Sequence, residues 1–462
     1  MFGFVEKIVA RIWNSIASRK TNKRTDRAVS NIEFGFLIKD GEVTKRRFGL
    51  TQGKRAEHIA MLGKTGSGKS FCLRHLANQD ISSDHGFVFF DYHGDATPFL
   101  LSALAEREQR EGVDLSQKVI VIDPSDPVYS VGLNVLEADD TRESFVQISE
   151  FAQILKTRWH LDSFGARTEE LLRNALYALR DSGLTLLELS PLLTNPAFRS
   201  SCVQQVRNFE VQSYFTTRFD QASEAMQAVM RDAVLNKVSV FTADPHFRHI
   251  VGQKHSTISF EDAIDQGFYV IVNLHKGKLG DQAATLGSLI LSRLKNALFA
   301  RKSRKIFTLF CDEMQNLVAY DAGLDTLLSE SRKFGISVVT ANQFLDQYPA
   351  GMRSAILSVG THVCFQLSSQ DADKMASNLA GTKTLAEALK NLPHQELVVK
   401  SGSRPATHVR VPDIAIPRTD YRDLYARCRN RWARQRAEIE QEIRERQEDA
   451  NKSESEVLDA WE

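Results

Sequence analysis

Residues 63–70 read Gly63-Lys64-Thr65-Gly66-Ser67-Gly68-Lys69-Ser70 and match the pattern G-x-x-x-x-G-K-[ST] at every fixed position. The four residues before this loop, 59–62, are all apolar and form a run short enough for a buried strand. The seven residues after it, 71–77, have the pattern of a helix. Strand, loop and helix in this order are the context in which the motif binds phosphate. The stretch therefore predicts an α/β fold with a phosphate-binding loop.

The residue types of the loop suit a triphosphate. Glycine accepts backbone angles that other residues resist, so the loop can wrap closely around an anion, and its N–H groups face that anion together with the helix N-terminus. Lys69 supplies a positive charge for the β- and γ-phosphates, and Ser70 supplies a hydroxyl for Mg²⁺. The alternative is a glycine-rich turn that only begins a helix. The predicted binding residues are Gly63, Lys64, Thr65, Gly66, Ser67, Gly68, Lys69, Ser70 and Phe71.

Composition narrows the class of protein. The chain has 462 residues, of which 42% are hydrophobic and 25% charged, as in ordinary globular proteins of two to four domains. The net charge of +1 argues neither for nor against nucleic acid. The five cysteines are scattered, which suits a reducing compartment and argues against a disulfide framework. No apolar run reaches the ~18–20 residues that span a bilayer, and we expect a cytoplasmic protein without a signal peptide.

Further apolar runs alternate with helical stretches. Candidate strands cover residues 86–91, 118–123 and 267–274, and a long helix is predicted over 281–300. Strands that alternate with helices indicate a parallel sheet with covered faces. From about residue 139 to 247 helical periodicity dominates, which predicts an all-α insertion of ordinary domain size.

Two more strands end in polar side chains. The run 305–313 ends in Asp312 and Glu313, a Walker B pattern in which Asp312 would hold Mg²⁺ and Glu313 would accept a proton from the attacking water. Acidic residues also follow strands as helix N-caps, which is the alternative. The run 335–343 ends in Gln343, which could sense the γ-phosphate or the attacking water, or could simply cap the strand.

The two ends of the chain differ in character from the centre. Residues 2–17 form an amphipathic pattern that basic residues follow, which fits a helix on a membrane surface and equally a helix packed on its own core. Residues 424–446 predict one long, charged helix that extends into an acidic, disordered end. Asp40-Gly41 predicts a hairpin in a small β-element.

These patterns give a division of the chain. We expect a basic N-terminal arm at 1–30, a nucleotide-binding domain with a small β-element at 31–138 and 248–405, an all-α insertion at 139–247, and a charged helical tail at 406–462.

The motifs taken in order resemble a known family. They are G-K-T-G-S-G-K-S, F-F-D-Y-H-G-D, D-P-S-D-P before the insertion, L-F-C-D-E-M-Q-N-L, and S-R-K-F-G followed by T-A-N-Q. The series resembles the HerA/FtsK superfamily of hexameric DNA-pumping ATPases over about residues 50–400. Within it, the chain is most similar to the coupling proteins of type IV secretion in conjugation. The phosphate-binding loop alone is generic, whereas the S-R-K-F-G block and the Asp-Pro segment are more specific.

The resemblance implies a RecA-like core, a homohexameric ring, and ATP with Mg²⁺ bound between neighbouring subunits. Lys69, Glu313 and Gln343 would be catalytic, and Ser70 and Asp312 would hold the metal. Arg332 matches the position of an arginine finger that reaches the neighbour's ATP, which can contribute ~10³–10⁵ in rate. The alternative for Arg332 is a surface ion pair with Glu330 or Asp325.

The resemblance also implies partners: DNA, with single strands favoured, a relaxase complex and an inner-membrane component. Such coupling proteins usually begin with transmembrane helices, which leaves three options. The amphipathic arm substitutes for them, giving a peripheral protein at the inner face of the cell membrane, or a membrane partner recruits the chain, or the protein is a soluble motor outside conjugation. Candidate phosphate contacts are Lys276-Gly277-Lys278, or the group Arg301, Lys302, Arg304 and Lys305, and the alternative for each group is a solvated surface. Alternative functions are a translocase that works with a nuclease on duplex ends, and a slow, nucleotide-gated receptor or scaffold for secretion substrates.

Overall fold

The structure is a computed structural model that describes residues 32–137, 141–159, 165–317, 324–379 and 383–452. The predicted arm at 1–30 and the acidic end at 453–462 lie outside these residues. We number the strands in chain order: β1 Ile32–Lys39, β2 Glu42–Leu50, β3 Ile59–Leu62, β4 Phe87–Asp91, β5 Val119–Ile122, β6 Tyr129–Ser130, β7 Tyr269–Asn273, β8 Phe307–Asp312, β9 Ile336–Asn342, β10 Thr361–Cys364, β11 Glu396–Ser401, β12 Thr407–Arg410 and β13 Arg434–Gln435.

The helices fall into two groups along the chain. Those outside the insertion are Gln52–Arg55, Lys69–Ser82, Ala96–Glu111, Phe260–Asp265, Lys276–Leu279, Gln282–Ala300, Leu324–Glu330, Ala350–Leu357, Ser369–Leu379, Lys383–Lys390, Arg422–Trp432 and Arg436–Asn451. Those of the insertion are Thr141–Trp159, Ala166–Asp181, Leu189–Thr194, Pro196–Gln205, Phe209–Ser213, Glu224–Thr242 and Pro245–Val251. No helix among the described residues is both long and apolar enough to cross a lipid bilayer.

A single large sheet organises the molecule. Its strand order is β2-β1-β12-β11-β10-β3-β9-β8-β4-β7-β5, and the block from β10 to β5 is parallel throughout. The strands of this parallel block are buried along their whole length, since helices cover both faces. The predicted fold class, a RecA-like α/β core with a mostly parallel sheet, is confirmed.

The two faces of the sheet bury two apolar cores. On one face of the sheet, the helices Lys69–Ser82 and Ala96–Glu111 contribute residues such as Leu73 to the core. On the other face, Val88 and Phe90 belong to the same apolar cluster as Leu171 and Leu176 in the insertion. The all-α insertion therefore shares its core with the sheet instead of packing as a separate body.

The N-terminal hairpin is part of the main sheet and does not stand apart from it. β1 pairs antiparallel with β12, and Phe36 lies opposite Arg410. Neither β11 nor β12 is among the strands that the sequence predicts. The two strands pair with each other as a local hairpin, but their outer neighbours, β10 and β1, come from more distant parts of the chain, so the local pattern carried only part of the signal for them.

The C-terminal region differs from the single extending helix that the sequence predicts. The helix Arg422–Trp432 ends at Ala433, β13 then pairs with β6, and the helix Arg436–Asn451 turns back onto the insertion. Its Ile439 and Ile443 are buried one turn apart. This pair of isoleucines gives the charged helix a face to bury, so for residues up to 452 the prediction of one extending helix is wrong.

Candidate nucleotide-binding site

The predicted site residues meet at the carboxyl edge of the parallel block. The loop 63–70 follows β3, and Gln343 follows β9. Asp312 is the last residue of β8, and Glu313 comes directly after it. Because β3, β9, β8 and β4 are adjacent and parallel, their carboxyl ends lie side by side. The turn after β4 reaches the same edge and carries His93.

Glycine is required at two points of the loop. Gly68 begins the helix with a φ of 109°, a value that side-chain-bearing residues rarely adopt. At Gly63 an added Cβ would lie 2.6 Å from Cβ of Phe365, so a larger residue would displace the loop. Backbone hydrogen bonds hold the loop in place, from Lys64 N–H to the Gln366 carbonyl at 2.7 Å and from Gln395 N–H to the Ser67 carbonyl at 3.2 Å.

Lys69 lies within the loop and is 6% exposed. Its Nζ donates to the carbonyl oxygens of Gly63 at 2.6 Å and Lys64 at 3.0 Å. Burial lowers the pKa of Lys69, and the carboxylates of Asp312 and Glu313 partly oppose that shift. The ammonium group thus faces the loop that would surround a phosphate.

Ser70 and Asp312 form the candidate metal site. Ser70 Oγ donates to Asp312 Oδ2 at 2.7 Å, and Asp312 is 5% exposed. Burial raises the pKa of Asp312, and neighbouring Glu313 adds to the shift. A hydroxyl and a carboxylate are the hard oxygen donors that Mg²⁺ prefers, and Mg²⁺ commonly takes only one or two protein ligands beside phosphate and water. The two residues therefore fit Mg²⁺.

Glu313 is held by donors from three directions. Gln343 Nε2 donates to Oε1 at 3.1 Å, Gln315 Nε2 donates to Oε2, and His93 Nε2 lies 3.8 Å from Oε1. Burial by itself would raise the pKa of this carboxyl, but the side chains of His93, Gln343 and Gln315 hold the pKa below its usual value. Glu313 is therefore ionised near neutral pH and able to accept a proton.

A chain of hydrogen bonds fixes the orientation of these amides. Tyr348 donates its O–H to Asn342 Oδ1, and Asn342 Nδ2 donates to Gln315 Oε1 at 2.6 Å. With its carbonyl oxygen occupied, Gln315 must turn its amino group toward Glu313. Sequence analysis gave Gln315 and Tyr348 no role, because their part depends on which strands are neighbours.

His93 is a third residue of the site that had no predicted role. Asp91 Oδ1 accepts from the backbone N–H groups of His93 at 3.2 Å and Gly94 at 2.8 Å, and its Oδ2 accepts from Thr97 N–H and Oγ1, both at 2.8 Å. These bonds shape the turn that presents His93, 56% exposed, to Glu313. The Glu313 carboxylate raises the pKa of His93 to about 8. The turn D-Y-H-G-D was visible in the sequence, but the contact was not.

Arg332 lies at the opposite edge of the sheet. It precedes β9, whose seven residues span about 20 Å, so it is remote from the loop of its own chain. Its guanidinium pairs with Glu57 Oε1 at 2.8 Å and its side chain is 65% exposed. The partner is Glu57, not the Glu330 or Asp325 that the sequence suggested.

Both candidate groups of DNA-contacting residues contain exposed basic side chains, and Arg301 is the exception. Lys276 and Lys278 are exposed on the short helix Lys276–Leu279, which follows β7 at the carboxyl edge. Arg301 is only 5% exposed and donates to the carbonyl oxygens of Lys305 and Gly335. Arg301 is therefore a structural residue, and the expectation that it contacts phosphate is wrong.

Comparisons with known proteins identify a family and solved structures that this chain resembles. The family model described as the type IV secretion-system coupling protein DNA-binding domain matches residues 47–404. Solved structures of the plasmid coupling protein TrwB share the fold. Its complex with the ATP analogue ADPNP is 18% identical with a TM-score of 0.58, over 87% of this chain and 98% of that one. Its complex with ADP and Mg²⁺ is 18% identical with a TM-score of 0.55, over 86% and 98%.

A second kind of solved structure is also similar. VirB4 of Thermoanaerobacter pseudethanolicus is 13% identical with a TM-score of 0.55, over 85% of this chain and 99% of that one. A search of curated protein sequences gives no significant match. Because the family model covers most of the chain, from before the phosphate-binding loop to β11, the protein belongs to the family of type IV secretion-system coupling proteins.

Proposed function

We propose that the protein is an ATP-driven motor that moves DNA, and that it serves as a coupling ATPase pumping single-stranded DNA in conjugation. One observation carries the proposal. In a chain of the coupling protein family, a phosphate-binding loop, a Ser70–Asp312 pair and an oriented Glu313 converge on one edge of the sheet. Solved TrwB complexes with an ATP analogue and with ADP and Mg²⁺ support the same ligands for this chain.

The loop would bind the triphosphate of ATP. Its N–H groups would face the phosphates, and Lys69 would exchange the two carbonyl oxygens it now contacts for phosphate oxygens. Ser70 and Asp312 would hold Mg²⁺, which neutralises charge on the transferred phosphate when bound. Phe71, half-buried at the first turn of the helix, would contact the part of the nucleotide beyond the phosphates.

Glu313 would act as the general base. It is ionised, two amides and His93 surround its carboxylate, and so it can take a proton from an attacking water molecule. Gln343 donates one hydrogen bond to Glu313 and lies at the end of the neighbouring strand, which suits a sensor of the γ-phosphate or the water.

Arg332 would complete the site of the neighbouring subunit. Its exposed guanidinium and its place at the opposite edge of the sheet support a role in trans within a homohexameric ring. ATP would then lie at the seam between two subunits, and hydrolysis would depend on assembly.

The remaining assignments are part of the same proposal. The nucleotide-binding domain comprises residues 31–138 and 248–405, and the insertion at 139–247 lies at one mouth of the ring and meets DNA or the relaxase complex. The ring lies in the cytoplasm, at the inner face of the membrane, where it binds an inner-membrane secretion component.

ATP hydrolysis in the presence of DNA tests the proposed function. We expect single-stranded oligo-dT to increase the steady-state ATPase rate of the wild-type protein, and Lys69→Ala to show neither basal nor stimulated hydrolysis. The measurement is phosphate release with and without oligo-dT, and with a duplex of equal length. A wild-type rate indifferent to every nucleic acid would contradict the proposal.

Lys276 and Lys278 supply the predicted phosphate contacts. We expect Lys276→Ala/Lys278→Ala to weaken binding of oligo-dT and to reduce the slope of log K against log salt by about 1.4, since each contact on a single strand contributes about 0.7. Fluorescence anisotropy across a salt series gives both quantities. The control is Lys302→Ala/Lys305→Ala, an exposed pair at the opposite edge of the sheet. An unchanged slope in the first variant, or an equal loss in the control, would contradict this assignment.

A further inference from the structure

The ring of His275 fills the space between two glycines from different segments. An added Cβ at Gly94 would overlap with Cδ2 of His275, and one at Gly277 would lie 2.8 Å from Cε1. Gly94 belongs to the turn 91–95 that carries His93, and Gly277 belongs to the short helix with the two exposed lysines. The imidazole is therefore wedged between the catalytic edge and the candidate DNA contact.

The turn 91–95 is firmly connected on the side of Glu313. Asp91 pins its backbone through the N–H groups of His93 and Gly94. His93 then reaches the Glu313 carboxylate, with 3.8 Å between Nε2 and Oε1. If Glu313 moved, the whole turn would move with it, because the buried carboxylate of Asp91 holds the turn together.

The same turn is connected on the side of the lysines. Leu274 N–H donates to the Asp91 carbonyl at 2.8 Å, and Lys276 N–H donates to the Tyr92 carbonyl at 3.0 Å. Lys278 N–H donates to the carbonyl of His275 at 2.9 Å, so the short helix begins on His275. The backbone of the residues on either side of His275 and the side chain of His275 thus both join the turn to the lysine-bearing helix.

We propose that His275 couples the Glu313 site to the DNA-contacting lysines, as a positioning residue that transmits movement between the turn 91–95 and the helix Lys276–Leu279. This inference rests on the proposed function. DNA held by Lys276 and Lys278 biases the turn through His275, and the turn orients Glu313 through His93. By linkage the nucleotide state biases the lysines equally, because a coupling free energy between two sites acts in both directions.

The effect of His275→Ala tests the coupling. Among the described hydrogen bonds and ion pairs, none joins the ring to the loop 63–70 or to Glu313, so we expect the basal ATPase rate, and the oligo-dT affinity of the nucleotide-free protein, to stay within about twofold of wild type. The stimulation by saturating oligo-dT should fall about fivefold or more, the size of a typical coupling between sites. Thermal unfolding of the variant checks that the fold is kept. Full stimulation in a folded His275→Ala protein would overturn the inference.

Gly277→Ala provides a second route to the same measurement. Its methyl group would press on the imidazole from the lysine side, so the stimulation by oligo-dT should again fall. Because the effect of Gly277→Ala acts through His275, the double variant His275→Ala/Gly277→Ala should lose no more of the stimulation by oligo-dT than His275→Ala alone. Gly351→Ala is the matched control, since an added Cβ there meets nothing within 4 Å.

The outcomes separate the inference from the proposed function. If oligo-dT stimulates ATP hydrolysis by the wild type but not by His275→Ala or Gly277→Ala, both the inference and the proposed function are supported. A stimulated wild type whose His275→Ala form is equally stimulated, or additive losses in the double variant, overturns the inference alone. A wild type that DNA does not stimulate overturns both.

Discussion

Replacing Glu313 with glutamine is expected to lower kcat for ATP hydrolysis by about 10²–10⁴-fold and to leave nucleotide affinity nearly unchanged. The amide keeps the shape of the side chain but cannot accept the proton of the attacking water. The loop and the Ser70–Asp312 pair, which carry the binding, are untouched. Single-turnover hydrolysis and the binding of a fluorescent ATP analogue measure the two quantities separately.

The control for this substitution is Glu387→Gln, which removes an exposed carboxylate whose described partner is Lys390 and not a residue of the site. Its hydrolysis rate should equal that of wild type. Wild-type hydrolysis by Glu313→Gln would show that another group takes the proton, whereas lost nucleotide binding would show that Glu313 supports the loop instead of the chemistry.

Arg332→Ala is expected to reduce ATP hydrolysis by about 10³–10⁵-fold, the contribution of an arginine finger. Nucleotide affinity of the isolated subunit should not change, because Arg332 lies at the opposite edge of the sheet from its own loop. Folding should not change either, since its ion pair with Glu57 is exposed on the arginine side and such pairs contribute little. The ATPase rate as a function of subunit concentration is the measurement.

Arg332→Lys separates the charge of the side chain from its shape, which Arg332→Ala removes together. A lysine keeps the charge but lacks the planar fork that binds two phosphate oxygens, so Arg332→Lys should recover only a small part of the rate. A monomeric protein that hydrolyses ATP at full rate without Arg332 would contradict the role in trans.

The strands that position the site could be predicted because their signal is local. β3, β8 and β9 are apolar runs, the last two ending in polar residues, and each lies where the sequence places it, within two residues at either end. Parallel pairing then brings their ends together without further information. Lys69, Ser70, Asp312, Glu313 and Gln343 all lie on this edge, as the motif spacing implied.

Other features depend on distant neighbours and left little mark in the sequence. His93 and Gln315 acquire their roles only because β4, β8 and β9 are adjacent. Arg301 belongs to a basic run that resembles a solvated surface, yet two backbone carbonyls hold it inside. For each of these residues one of the partners is distant in sequence: Glu313 for His93, Asn342 for Gln315 and Gly335 for Arg301. Local pattern and propensity carry no information about such partners.

The C-terminal region shows the same limit on a larger scale. A charged composition favoured an extended, fraying helix, but two isoleucines one turn apart and an ion pair between Arg446 and buried Glu188 hold the last described helix on the insertion. Few apolar residues suffice when a complementary surface exists, and that surface comes from the insertion, more than two hundred residues earlier.

Mixing two inactive variants tests most directly whether ATP is hydrolysed at a seam between subunits. Arg332→Ala keeps an intact loop and Glu313, and Glu313→Gln keeps an intact Arg332, so neighbouring subunits of the two kinds rebuild one complete site. We predict that the DNA-stimulated ATPase rate of the mixture rises well above the sum of the separate rates and peaks near equal proportions. A mixture that never exceeds that sum, under conditions where the subunits assemble, would contradict hydrolysis in trans.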